Sequence, residues 1–570
     1  MRPPIILDKS RQLLNIQTNN YPMKFLPVII AVSALACVLQ LPVSAQNFSQ
    51  QNIEINNSVK DIIIKDSNND GIQEIIFQQG RNLLVYSLRP QSNRFFENLS
   101  YRLPNDACLY DINPSLLPFI KAGVEEAQFN LAYVNNKGVY LIPLDLSAAQ
   151  SNLPVAKVGL SNSDLGKTPI TPTQFVISST LFKNRTVNTP LFQNIIFDQG
   201  GSNKIMVIPN NNKFLLVDCI EKFPLIQEIN MPMPSFISPN NNNIFESLTS
   251  ETSLPAFVFE DLNADKHKDL IFINNTISAC LYENGKYGKI NNVLSMPTDA
   301  FDPNQEIDFG YILTPLISDI NNDACVDVLC TNDTEGLIYV YLNHINTGIR
   351  KDFPAVDGTF FSATPNQVIR TGKWIIEHNL IDLNGDLLND LVLVQMSKLG
   401  IMGGLQAILA QTLEWEITVY LAQPDAKNNG LIYSKSPDYS RLIKLPFTFS
   451  YASPLSLAGG RTPPKIRSPY IWSLEGDYNG DKINDLLISG TKDGTIEIYF
   501  GETSKLFSPT PSMILNLLSF KNGYRLSGMP HGAPIVAEIN NDKKSDIIIP
   551  LVRENADKSF SNSFEIFLSY

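Results

Sequence analysis

Oxygen-bearing side chains recur in this chain at positions one, three, five and nine of a short loop. The clearest copy places Asp382, Asn384, Asp386 and Asp390 ahead of the apolar run Leu391-Val392-Leu393-Val394. Five further copies keep the spacing. They are Asp66, Asn68, Asp70 and Glu74; Asp261, Asn263, Asp265 and Asp269; Asp319, Asn321, Asp323 and Asp327; Asp477, Asn479, Asp481 and Asp485; and Glu538, Asn540, Asp542 and Asp546. Each runs straight into an aliphatic stretch. Alternating carboxylate and amide oxygens around a tight turn suit a hard cation that takes six to eight oxygen ligands, and calcium is the expected ion, about five or six per chain. Position seven of the clearest copy, Leu388, has no side-chain oxygen, so its backbone carbonyl is the natural extra ligand. The loops lack the twelfth-position Glu of an EF-hand and lead into strands, where an EF-hand continues as a helix. A single Asp/Asn/Gly turn would be ordinary; six in one register are not.

Other reactive residue types are sparse. The four histidines are His267, His344, His378 and His531, and no two are close in sequence. His267 lies at position seven of a metal loop, where a solvated side chain is the simplest reading. No Gly-x-Ser-x-Gly elbow, His-Glu-x-x-His pair or phosphate-cradling glycine loop occurs. The abundant carboxylates are accounted for by metal spacing, so they are poor support for acid–base catalysis. Trp374, Trp415 and Trp472 fall on or beside expected strands, where core packing competes with a sugar-binding face.

The elements that must carry these loops are short strands. Apolar runs are brief and rich in Val, Ile, Phe and Tyr. From Asp261 to Glu538 the loops recur about every 60 residues, with one longer unit, which fits a four-stranded propeller blade better than a helical solenoid. Two degenerate copies fill the early gap. Asp111-Ile112-Asn113 opens like a loop but meets Pro114, and Asp198 to Lys204 keeps the length with Lys204 near the ninth position. Both read as blades without a metal. The expectation is an all-β propeller of about eight four-stranded blades, with seven as the alternative. Asn52–Asn56 would supply the last strand of the final unit, pairing the two ends of the chain and removing exposed edges. Ser397–Thr412 shows helical apolar spacing at Leu405, Ile408 and Leu409 and reads as an insertion; residues 145–190 read as a long connection.

The N-terminus carries a targeting signal. From Met23 a single Lys24 precedes an apolar run that ends in Val43-Ser44-Ala45, a signal-peptidase pattern, so residues 1–45 are expected to be an upstream extension and signal peptide and 46–570 the propeller. An uncleaved membrane anchor is the competing reading, and Cys37 does not sit in a good lipoprotein context. No later stretch is apolar for long enough to span a bilayer. Export, to a periplasmic, cell-surface or extracellular site, would expose the loops to calcium levels at which weak modules fill. The formal net charge is −12 with no basic stripe, which argues against a nucleic-acid partner. The cysteines after residue 45 are Cys108, Cys219, Cys280, Cys325 and Cys330, too few and odd in number for a disulfide framework.

Asp-x-Asn-x-Asp-x-x-x-Asp followed by an aliphatic strand, repeated along a secreted all-β chain, resembles FG-GAP/VCBS repeat proteins and is similar to the integrin α-subunit propeller. The resemblance covers roughly residues 50 to 570. It implies a β-propeller with calcium in strand-connecting loops, a role in adhesion or recognition, and the side chains named above as ligands. Glu538 and Glu74 depart from the family Asp, and only Gly532-Ala533-Pro534 resembles part of the Phe-Gly…Gly-Ala-Pro signature. The functional expectation is an exported, non-catalytic propeller that binds a protein or glycan partner or scaffolds a surface complex. The alternative is an extracellular polysaccharide hydrolase or lyase with a pocket on the propeller face.

Overall fold

The computed structural model describes residues 48–570 apart from connecting segments, the longest of which are 113–127, 146–172, 176–190, 298–314, 344–359, 399–408 and 447–471. The expected signal peptide, His344, His531, Cys219 and most of the 397–412 insertion lie outside the described residues. Leu409, at the end of that insertion, is exposed.

Residues 47–570 form one compact unit. Its described residues form an all-β propeller with eight blades, each a sheet of four or five strands. Blade 1 runs from Asp61–Lys65 through Glu74–Gln79 and Asn82–Arg89 to Arg94–Arg102. Blade 2 begins at Leu109–Ile112, blade 3 at Ile196–Asp198, blade 4 at Ala256–Glu260 and blade 5 at Leu316–Ser318. Blade 6 begins at Trp374–Ile381 and blade 7 at Trp472–Gly476. In blades 1, 4, 5, 6 and 7 the second strand is buried along nearly its whole length, as Glu74–Gln79, Asp327–Asn332 and Asp485–Ser489 show. That explains why these stretches read as continuous apolar runs rather than alternating ones: both faces are covered by neighbouring blades.

Apolar clusters fill the wedges between blades. Phe77 of blade 1 meets Phe564 of blade 8 with ring centroids 4.4 Å apart, among Ile75, Ile548 and Ile566. Blades 6 and 7 pack through Trp374, Trp415, Val394, Leu486 and Tyr499. Trp374 and Trp415 are buried and Trp472 half-buried in this wedge, so these tryptophans are packing residues. Between blades 2 and 3 the link is partly backbone: Leu191–Phe192, just before blade 3, pairs in parallel with Leu109–Tyr110 of blade 2. Cys108, Cys280, Cys325 and Cys330 are buried and free of disulfides.

The ring closes through both ends of the chain. Blade 8 contains Ile535–Ala537, Asp546–Glu554 and Phe560–Ser569, and its outer strand is Phe48–Asn56. This strand is antiparallel to Phe560–Ser569 with nine consecutive residue pairs, from Phe48–Ser569 to Asn56–Ser561. A buried carboxylate pins the seam. Glu565 accepts the backbone N–H groups of Leu518 and Ser519 and a hydrogen bond from the Gln50 amide. Glu565→Ala would leave the buried Ser519 N–H unpaired and remove the bonds to Leu518 and Gln50, and a hydrogen bond to a charged group contributes about 1.5–3 kcal/mol. The expected outcome is a lower denaturant midpoint with faster amide exchange in Phe48–Asn56; unchanged exchange there would show that Glu565 does not hold the seam.

Candidate metal centres

All six loops join the first strand of a blade to the second, so they lie at the same end of their blades. The blade 7 loop shows the common geometry. Asp477 Oδ1 accepts from Gly480 N at 2.7 Å and Asp481 N at 3.2 Å, and its Oδ2 accepts from Lys482 N at 2.7 Å. Asn479 Oδ1 accepts from Asp481 N at 2.8 Å while its amide donates to Asp481 Oδ2 at 2.9 Å. Asp481 Oδ1 accepts from Ile483 N at 2.8 Å. The amide of position three meets the carboxylate of position five in every loop: Asn68 to Asp70, Asn263 to Asp265, Asn321 to Asp323, Asn384 to Asp386 and Asn540 to Asp542. Position one accepts from the amide of position six throughout, from Asp66, Asp261, Asp319 and Asp382 to Glu538.

The ninth acid has a different role. Glu74, Asp269, Asp327, Asp390, Asp485 and Asp546 are all buried. In the five Asp copies one oxygen caps the amide of position two, at 2.8–3.0 Å: Leu262, Ile320, Leu383, Tyr478 and Ile539. The other oxygen accepts an amide beyond or at the end of the third strand: Tyr282, Asn343, Ala422, Gly501 and Ser569. Glu74 is longer and turns back on its own loop, to the amide and hydroxyl of Ser67. Burial pushes these carboxyls up, to about 8 for Asp327, about 7 for Glu74, Asp390 and Asp485, and about 6 for Asp269 and Asp546. The backbone bonds oppose that shift, and the neighbouring loop carboxylates reinforce it.

Two loop positions escape sequence reading. Position four is left-handed at Ala264, Asn322, Gly385, Gly480 and Asn541, and position six at Gly71, Lys266, Ala324, Leu387, Lys482 and Lys543. Glycine fills only some of these, although φ values of +57° to +87° favour it. The side-chain and backbone bonds above hold the other residues there.

Among the described residues, no three His, Cys, Asp or Glu side chains converge as a metal-holding group; the loop oxygens are spent on loop amides. In composition the donor set still fits a hard cation: it is all oxygen, and each buried ninth acid sits beside further carboxylates whose charge a cation would offset. His267 is exposed against Tyr282, 5.4 Å between ring centroids. His378 is buried and bonded to Thr331 in a different blade, so these two histidines form no shared site.

The degenerate copies resolve differently. Lys204 pairs with Asp198 at the register where metal-type blades place the ninth acid, as Gly476 pairs with Asp485. Asp111 is not a loop residue. It lies in the strand Leu109–Ile112, fully buried, because Asp-Ile-Asn is too short a pattern to separate a turn from a strand. Its carboxylate takes the Lys65 ammonium of blade 1 at 3.2 Å and the amides of Ile195 and Ile196 at 3.0 and 3.3 Å. One side chain thereby joins blades 1, 2 and 3. Burial raises the Asp111 carboxyl and Lys65 pulls it back.

No family model and no curated protein matches the chain. Among solved structures it is similar to the periplasmic gluconolactonase PpgL of Pseudomonas aeruginosa at 8% identity, covering 82% of this chain and 97% of that one with a TM-score of 0.30. The AfRom2 CNH domain is 8% identical over 91% of this chain and 99% of its own, with a TM-score of 0.31. A Lactobacillus plantarum protein is 9% identical over 82% and 97%, with a TM-score of 0.28. Likeness this low carries no argument about activity, and the propeller stands on the sheets themselves.

Removing the Lys65 charge tests the three-blade staple. Breaking a buried pair costs about 3–5 kcal/mol, so Lys65→Met should lower stability by that order at neutral pH. A carboxyl whose folded pKa is raised contributes stability below its unfolded pKa and loses it as pH rises through the folded value. The deficit of Lys65→Met against wild type should therefore grow with rising pH, and adding Asp111→Asn should recover part of it. A deficit that is flat with pH would assign Lys65 a packing role only.

Proposed function

We propose that this chain is an exported, calcium-stabilised propeller of the FG-GAP/VCBS type that binds a protein or glycan partner, in adhesion, recognition or the scaffolding of a surface complex. The observation that carries the reading is the congruence of six loops with one oxygen pattern, the same side-chain-to-amide bonds at positions one, three and five, and a left-handed position six. Asp or Glu at position one, Asn at three, Asp at five and the buried acid at nine would hold the ion. Calcium bound there supplies positive charge to a cluster of carboxylates. The chain's own residues do the rest: the ninth acid ties the loop to the third strand, and the loop fixes the turn between first and second strands. The ions support the surface that recognises a partner and perform no chemistry of their own. Export is supported by the N-terminal sequence pattern and by the extracellular availability of calcium.

Thermal unfolding of the mature chain with calcium and with chelator, combined with metal counting, tests the reading. About five or six calcium ions per chain are expected. The melting temperature should rise with calcium, since each site filled at one hundred times its dissociation constant contributes about 2.7 kcal/mol. No bound calcium and an unchanged melting temperature would remove the proposal and leave a metal-free propeller.

A further inference from the structure

Neighbouring loops touch one another, and at four of the five junctions the hydrogen bond runs through the same position. Residue eight of a loop reaches the backbone carbonyl of residue one or two in the preceding blade's loop. Ser545 N donates to Asp477 O at 2.8 Å, and Asp477 N returns a bond to Ser545 Oγ at 3.1 Å. The Asn484 amide reaches Asp382 O at 3.2 Å. The Asn389 amide reaches Asp319 O at 2.6 Å. Gln73 N donates to Ile539 O at 3.0 Å, crossing from blade 1 to blade 8. Between blades 5 and 4 the position-eight residue is Val326, which packs beside Leu262, and Asn343 makes the polar link to Leu262 O at 2.7 Å. The six loops occupy consecutive blades, 4 through 8 and then 1. Blades 2 and 3 interrupt the circle with Asp111 and Lys204.

We propose that position eight is a positioning residue which couples each ion loop to the next, so that the six sites fill cooperatively along one arc. This rests on the reading of the loops as calcium sites. The physical route is short. Position eight stands beside the ninth ligand, and its partner is the backbone of the residue that supplies, or adjoins, the neighbour's first ligand. An ion that fixes positions one to nine of one loop therefore orders part of the next loop's ligand set, and the cost of ordering the second site falls. The arc also crosses the seam where the two ends of the chain meet, so filling the blade 8 and blade 1 loops stiffens the closure.

The test uses the intact mature chain, calcium alone as the probe, direct binding to count ions and locate half-saturation, and amide exchange to report each loop. Asp386→Ala removes one ligand of the blade 6 loop. Coupled sites predict that the blade 5 and blade 7 loops lose affinity by about five-fold or more, with faster exchange in residues 319–327 and 477–485 at fixed calcium. Loss of one ion with unchanged neighbours would overturn the coupling while leaving the calcium reading intact. The pair Asn389→Ala and Asn484→Ala leaves every side-chain ligand in place. It should keep the wild-type ion count at saturating calcium but flatten the binding curve, and Ser545→Thr, which keeps the hydroxyl, should not. An unaltered curve in the double variant would also overturn the proposal. Absence of calcium binding by the wild type would overturn both readings together.

Discussion

A buried carboxylate at the ninth loop position ties each metal-type blade together. One of its oxygens holds the second residue of the loop, and in the five Asp copies the other holds an amide beyond or at the end of the third strand. The first, second and third strands are thus fastened at one point at the same end of the blade. This arrangement concentrates negative charge where water is excluded. Burial raises the carboxyls, and the amides that cap them only partly compensate. The rest of the design answers that tension: oxygen-rich turns that suit a cation, short strands that bring neighbouring loops into contact, and wedges of aliphatic and aromatic side chains that keep the carboxylate dry.

Blades 2 and 3 answer it with protein charge. Lys65 sits one residue before the first loop of the ring and reaches forward to Asp111. The carboxylate spends its second oxygen on two amides of the blade 3 segment. A lysine and two peptide groups occupy this boundary, and the neighbouring blade places Lys204 at the register of the ninth acid. On the calcium reading proposed above, the circle would have two kinds of joint, one whose charge balance depends on the solution and one whose balance is covalently built in. Stability of the first kind would follow calcium, and stability of the second would follow pH.

Much of this was legible because the loop's hydrogen bonds are local. The 1-3-5 spacing of oxygens is both a ligand pattern and a set of bonds to amides two to five residues away, so sequence alone exposes it. The blade count and the pairing of Asn52–Asn56 with the last strand followed from the repeat and from the need to cover an edge. Three features were hidden for physical reasons. Asp111 belongs to a strand whose partners, Lys65 and Ile195, are far away in sequence. The left-handed positions four and six carry Ala, Lys, Leu or Asn more often than Gly, so composition gave no signal. Position eight has no constant residue type, because Gln73 and Ser545 reach the neighbouring carbonyl through the backbone, Asn484 uses the side chain and Asn389 uses both.

The seam in blade 8 has a temporal consequence. Its outer strand, Phe48–Asn56, leaves the ribosome first among the blade strands, and its partner, Phe560–Ser569, leaves last. The earliest-made strand must wait, unpaired, until nearly every other blade has been synthesised. Local pairing can complete seven sheets in order as the chain emerges, but the eighth cannot form from either end alone. A chain stopped short of Phe560 would hold two unpaired strand edges, and an open edge is a template for pairing with another chain. Which two strands meet thus makes the eighth sheet the last that can be completed.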